Sequence, residues 1–292
     1  MIIPMQSRRI FLRNTAASLP ALALAGQSLF AADRRPLGVQ LYTVRKEAEQ
    51  DLPRVLEQIA RIGYQEVEAY GGLYTNSAQS LRHMIEGAAL TVPSAHFGYN
   101  DLEGQFNYAK ELGVSWVVCS AIAPSLWGSA DGFTTAAKQF NSWGQRARDM
   151  GMRFAFHNHD YEFRPFTSGA SAGKTGYDVL VDQTDPSLVF FEVDCYWVAQ
   201  AGIDPLTLIR RLGPRLKMLH LKDRKTGFPS SFEMNAAASH FEPVGSGSLD
   251  WKAILAEGKS LGVEHYFVEQ DQTAIPPIDA LRKSYAYLRS IT

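Results

Sequence analysis

The stretch Met150-Gly151-Met152-Arg153-Phe154-Ala155-Phe156-His157-Asn158-His159-Asp160-Tyr161-Glu162 closes a helix at a glycine, runs through an apolar strand and ends in a polar cluster. Glycine adopts the left-handed backbone that terminates a helix without steric cost, so a glycine followed at once by a β-rich run marks a join from helix to strand. The same join recurs at Ile62-Gly63, Leu112-Gly113, Leu212-Gly213 and Leu261-Gly262. Around these joins, β-rich runs fall at residues 37–43, 66–70, 91–96, 116–121, 153–159, 188–194, 217–222 and 266–269. Between them, apolar residues at three- and four-residue spacing mark helices at 52–62, 81–88, 104–112, 134–150, 177–183, 205–212, 251–261 and 278–291. Eight alternating units over residues 37–292 predict an α/β chain folded as a single-domain (β/α)₈ TIM barrel. An open doubly wound sheet would carry a glycine-rich turn after its first strand, where this chain has Leu41-Tyr42-Thr43-Val44-Arg45. The irregular segment 226–248 is expected to cross the barrel mouth after the seventh strand.

In a parallel barrel the chemistry collects at the carboxyl ends of the strands. Asp194 ends the sixth run, His220 the seventh and Glu269 the eighth, while Glu162 stands just past the fifth. Three carboxylates and an imidazole gathered in an apolar mouth are costly unless a positive charge sits among them, so the set reads as one divalent-metal site. An oxygen-rich set with one nitrogen suits Mn²⁺ first, with Mg²⁺, Co²⁺ or Zn²⁺ as alternatives.

These residues carry a resemblance. The order Glu162, Asp194, His220, Glu269, the phrase His220-Leu221-Lys222-Asp223 and the later Pro243-Val244-Gly245-Ser246-Gly247 together resemble the xylose-isomerase-like barrel superfamily, in its sugar isomerase/epimerase branch, over residues 37–291. The resemblance implies Glu162, Asp194, His220 and Glu269 as metal ligands, with the two glutamates as an acid/base pair on opposite faces of a sugar. The chemistry it implies is proton abstraction next to a carbonyl through an enediolate, giving isomerisation or epimerisation. The fifth strand departs from the ketose-epimerase pattern, because it carries His157 and His159 where an in-strand glutamate is usual. Two assignments therefore stay open there: Glu162 as ligand, or His157 as ligand with His159 or Glu162 as base. The same departure keeps a 3-keto-glycoside lyase or hydrolase as the alternative reaction. From another class, a non-catalytic periplasmic sugar-binding protein would keep aromatic and hydrogen-bonding residues but need no coordinating tetrad.

Lys222 shares the parity of His220 and is read as a substrate contact, against the plainer reading of a lysine paired with Asp223 or Glu192. On the other half of the barrel, His96 and Glu68 mark strand ends and are read as hydroxyl binders. Trp127, Trp197 and Phe232 are candidates to stack on a sugar ring, and Glu192 is read as a buried, paired group below Asp194.

A formal net charge of −1 argues against a general nucleic-acid binder. The partner expected is a small carbohydrate, and association into an oligomer is left open. At the N-terminus, Ser7-Arg8-Arg9-Ile10-Phe11-Leu12-Arg13 precedes a short apolar run through Phe30, which reads as a twin-arginine-type export signal over residues 1–32. The run is too short for a spanning helix, so a periplasmic or otherwise exported protein with no stable membrane span is expected. Phosphorylated sugars are mainly cytoplasmic, and no phosphate-cradling glycine-rich turn is evident, so an unphosphorylated sugar is preferred. Cys119 and Cys195 lie in apolar runs and are read as buried thiols.

Overall fold

The computed structural model describes residues 35–292. The expected export signal lies outside the described residues. The strands are β1 (Gly38–Gln40), β2 (Glu66–Ala69), β3 (Thr91–Phe97), β4 (Trp116–Cys119), β5 (Arg153–His157), β6 (Val189–Asp194), β7 (Leu216–Leu221), the two-residue β8 (Asp223–Arg224) and β9 (Phe241–Glu242), and β10 (His265–Val268). Eight of them close a barrel in the order β1-β10-β7-β6-β5-β4-β3-β2, and each neighbouring pair is parallel. The helices are α1 (Arg45–Ile62), α2 (Ala78–Gly87), α3 (Leu102–Leu112), α4 (Ala130–Asp149), α5 (Gly176–Gln183), α6 (Cys195–Gln200), α7 (Pro205–Leu212), α8 (Trp251–Leu261) and α9 (Pro277–Ile291). This is the predicted barrel, with additions: the two-stranded β8–β9 ladder, and α6, which starts at the residue after β6, where no loop signal separates strand from helix. Gly151 takes φ +79 at the join into β5, a backbone that a side chain would strain.

Successive side chains on a strand point to opposite faces, and in the barrel one set points into the interior. Trp116, Val118, Ala155, Met218 and Phe267 form a separate apolar cluster, with Phe190 packed against it. These residues plug the barrel midway. At Gly38 on β1 there is no room for a side chain, because a Cβ would run into the Phe267 ring. Counting upward in twos from this plug reaches His157 from Ala155, Glu192 and Asp194 from Phe190, His220 and Lys222 from Met218, and Glu269 from Phe267. The inward parity thus delivers the titratable groups to the carboxyl end of the barrel.

The segment after β7 is organised by Asp223. Its carboxylate accepts N–H bonds from Gly245, Gly247, Ser248 and Leu249 and from the Trp251 indole at 2.8 Å. Trp251 is fully buried, and truncating such a side chain costs roughly 3–5 kcal/mol. The antiparallel β8–β9 ladder pairs Asp223 with Glu242, and residues 234–236 line a cavity at the mouth. Among the described residues no helix is long and apolar enough to cross a membrane. Cys119 and Cys195 are both buried free thiols.

Candidate metal centre and active site

Two buried clusters meet at one imidazole. Asp194, His220 and Glu269 bring three candidate ligand atoms within 4.8 Å of one another, and His96, His157, Glu192 and His220 bring four within the same limit. His220 Nδ1 lies 2.9 Å from Glu269 Oε2 and 4.0 Å from Asp194 Oδ2. On the other side of the ring, Nε2 lies 2.7 Å from Glu68 Oε2 and 3.2 Å from Glu192 Oε2. His157 repeats the pattern: its Nδ1 is 3.1 Å from Glu192 Oε2, and its Nε2 is 3.9 Å from Asp194 Oδ2. Glu192 therefore touches one nitrogen of each ring and leaves the other toward Asp194. A histidine that ligates a metal is normally fixed in this way by a carboxylate on its second nitrogen.

The donor chemistry fits a divalent ion. Asp194 Oδ2 is ion-paired with the Lys222 ammonium at 2.8 Å, whereas Glu192 Oε1 lacks a hydrogen-bond partner. An unsatisfied buried carboxylate oxygen of this kind is costly and invites a cation. Lys222 supplies part of that charge, lying 2.8 Å from Glu269 Oε2 and 3.1 Å from Asp271 Oδ2. Its partners are these three carboxylates rather than Asp223 or Glu192. Burial opposes its charge, yet Asp194, Asp271 and Glu269 outweigh burial and raise its pKa.

The same competition sets the other groups. Burial works against a charged His220, but Glu192 and Glu68 hold its pKa well above the usual imidazole range. His96, 2.6 Å from Glu192 Oε2 and 3.0 Å from Glu68 Oε2, is pushed up to about 9 against burial by the same two carboxylates. For His157, burial and the neighbouring His220 lower the pKa and keep the ring neutral, the form that coordinates. Glu269 is lowered: burial opposes ionisation, but Lys222 and His220 prevail.

Glu162 is not part of either cluster. β5 ends at His157, the chain turns through a 3-10 segment at Tyr161–Phe163, and both Glu162 oxygens accept the His159 N–H, at 3.1 and 3.0 Å. Burial pushes its carboxyl up to about 8. The expected pairing of Glu162 with Glu269 around one sugar is therefore not assembled, because the turn aims this carboxylate back at its own backbone.

A cavity of about 640 Å³ opens above the clusters, lined among others by His96, His157, His159, Trp197, Glu269 and Asp271. Asp194, His220, Lys222 and Glu68 are fully buried and do not line it. Glu68 accepts bonds from Gln40 at 2.7 Å and from the Ser94 hydroxyl, and His220 also binds it, so it braces His220 instead of lining the cavity. Trp197 is held over the floor by α6: its backbone N–H donates to Asp194 Oδ1 at 3.0 Å, and its ring lies 5.5 Å from Lys222 Nζ. His159 presents a buried Nδ1 with no partner, and burial followed by Lys222 lowers its pKa to about 3. Asp271, raised to about 6 mainly by burial and held back by Lys222, was not singled out by sequence. Its signal was available, since it follows Glu269 by two residues.

A family model described as the xylose isomerase-like TIM barrel matches residues 56–291. An inosose dehydratase of Clostridium beijerinckii is 24% identical over 279 residues, which is 84% of this chain and 91% of that protein. Another, of Mesomycoplasma hyopneumoniae, is 26% identical over 271 residues, covering 82% and 88%. Among solved structures, a sugar phosphate isomerase/epimerase from Parabacteroides distasonis superposes with a TM-score of 0.73 at 24% identity, covering 93% of this chain and 98% of that one. The IOLI protein, solved with a bound zinc atom, superposes with a TM-score of 0.65 at 14% identity, covering 88% and 97%. With the closed barrel and the matched span together, the chain belongs to the xylose isomerase-like TIM-barrel family.

Proposed function

We propose that this protein is a divalent-metal-dependent enzyme that removes the proton beside the carbonyl of an unphosphorylated keto-sugar and expels the substituent on the β-carbon. The observation that carries this reading is the unpartnered His159 imidazole, which shares a cavity with Glu269 directly above the carboxylate–imidazole clusters. His157, Asp194, His220 and Glu269 would hold the ion, with Mn²⁺ preferred for this mixed oxygen and imidazole set. When bound, the ion would acidify the C–H next to the carbonyl and stabilise the charge of the enediolate. His159 lines the cavity and is kept neutral by burial, and its imidazole takes the proton. The leaving oxygen would take the proton back from His159, and Asp271, held by Lys222 at 3.1 Å, lines the same cavity. Trp197 closes the floor and excludes water from Lys222.

The relatives named inosose dehydratase support the elimination branch, since a dehydratase is a lyase that expels water. Isomerisation or epimerisation of the same enediolate is the second reading. It is favoured by the presence of a second acid/base group, Glu269, in the His159 cavity. The basic and then apolar start of the chain supports an exported enzyme. The test is incubation with Mn²⁺ and a panel of free ketoses and 3-keto-glycosides in D₂O, read by NMR. Release of the substituent supports the lyase, and deuterium at one carbon without cleavage supports the isomerase or epimerase. Neither exchange nor release with any substrate would overturn both.

A further inference from the structure

Lys222 stands one residue past β7, fully buried, with its ammonium among three carboxylates. It lies 2.8 Å from Asp194 Oδ2, 2.8 Å from Glu269 Oε2 and 3.1 Å from both oxygens of Asp271. We propose that Lys222 is a tethered cation that neutralises Asp194 and Glu269 until a divalent ion arrives, and that Asp271 is the dock to which the ammonium then withdraws; this rests on the metal-centre reading above.

The ammonium and the ion call on the same oxygens. Glu269 Oε2 is 2.9 Å from His220 Nδ1, and Asp194 Oδ2 is 4.0 Å from that nitrogen and 3.9 Å from His157 Nε2. An ion held by His157, Asp194, His220 and Glu269 therefore takes up carboxylate oxygens that Lys222 already touches. Two cations on shared oxygens repel at short range, and a buried site has little water or salt to screen them. The tethered one must give way.

Asp271 is placed to receive it. It meets the ammonium with both oxygens and stands outside the cluster that Asp194, His220 and Glu269 form, so a bond kept with it withholds no ligand from the ion. It also lies on the open side of the lysine. Asp194 is sealed, whereas the Asp271 side chain is 23% exposed and lines both the mouth cavity and a neighbouring cavity of about 530 Å³. The exchange keeps the buried carboxylates matched by positive charge before and after the ion binds, which avoids the cost of leaving them unpaired. Lys222 and Asp271 are on this account positioning residues that set metal affinity without touching the ion.

The test is Mn²⁺ binding by calorimetry to wild type, Lys222→Met, Asp271→Asn and the double variant, a readout independent of turnover. Lys222→Met should bind Mn²⁺ about tenfold more tightly, having no cation to displace, and Asp271→Asn about tenfold more weakly, having no dock. In the Lys222→Met background, Asp271→Asn should lose most of its effect, and Asp271→Glu should restore the affinity in the presence of Lys222. Where Lys222→Met does not fold, as judged by its melting curve, the Asp271→Asn loss and the Asp271→Glu recovery carry the test. Lys222→Met binding no more tightly than wild type, Asp271→Asn binding as tightly, or an Asp271→Asn loss of the same size with and without Lys222 would overturn the exchange while leaving the metal centre standing. No Mn²⁺ binding by wild type would overturn both.

Discussion

The Nε2 atom of His157 lies 3.9 Å from Oδ2 of Asp194, across the ends of adjacent strands β5 and β6. That relationship depends on Glu192, whose Oε2 is 3.1 Å from the other nitrogen of the same ring and 3.2 Å from His220 Nε2. Glu192→Gln keeps the shape but loses the charge that fixes both rings. Metal affinity should fall about 10–100-fold, as for other second-nitrogen partners, with the fold intact. Metal titration of the purified variant checks this.

His159→Asn removes the proton acceptor while leaving the four proposed ligands in place. Turnover should drop by about 10²–10⁴-fold, the usual range for a positioned base, with metal content unchanged. Steady-state rates beside metal analysis of the same sample separate a lost base from a lost ion.

Metal uptake should release a proton. His220 is held protonated between Glu192, Glu68 and Glu269, and its Nδ1 must lose that proton to coordinate. Affinity should therefore weaken as pH falls. Calorimetry in two buffers of different ionisation enthalpy reads the proton count directly, and a count of zero would contradict the assignment.

Glu162→Gln tests the carboxylate that the turn withdraws from the cluster. Its folded pKa is raised from 4.5 to about 8, chiefly by burial, so the native state binds a proton that the unfolded chain has lost. The stability linked to that proton is fully present below pH 4.5 and is lost as pH rises through 8. Each unit of displacement corresponds to about 1.4 kcal/mol. Glutamine keeps an acceptor for the His159 N–H without the charge. The variant should gain in melting temperature relative to wild type as pH rises, levelling off above 8.

The barrel was legible in sequence because each strand is an apolar run closed by turn chemistry, and the glycine joins recur. Asp194, His220 and Glu269 were legible for the same reason: they end strand-like runs. Parity stops informing at His157, the last residue of β5. Where the Glu162 side chain goes is decided by the 3-10 turn at Tyr161–Phe163, which tertiary packing selects and local pattern does not announce. Glu192 was read correctly as buried and paired. Which rings it touches depends on strands brought together only by the closed barrel.

The most direct measurement is the divalent-metal content of purified wild-type protein and of His157→Asn, Asp194→Asn, Glu269→Gln and Glu162→Gln, by elemental analysis after Mn²⁺ loading and desalting. About one ion per chain is expected in wild type and in Glu162→Gln, with most of it lost from the other three. Full occupancy in Asp194→Asn and His157→Asn, or loss confined to Glu162→Gln, would contradict the placement of the metal centre on His157, Asp194, His220 and Glu269.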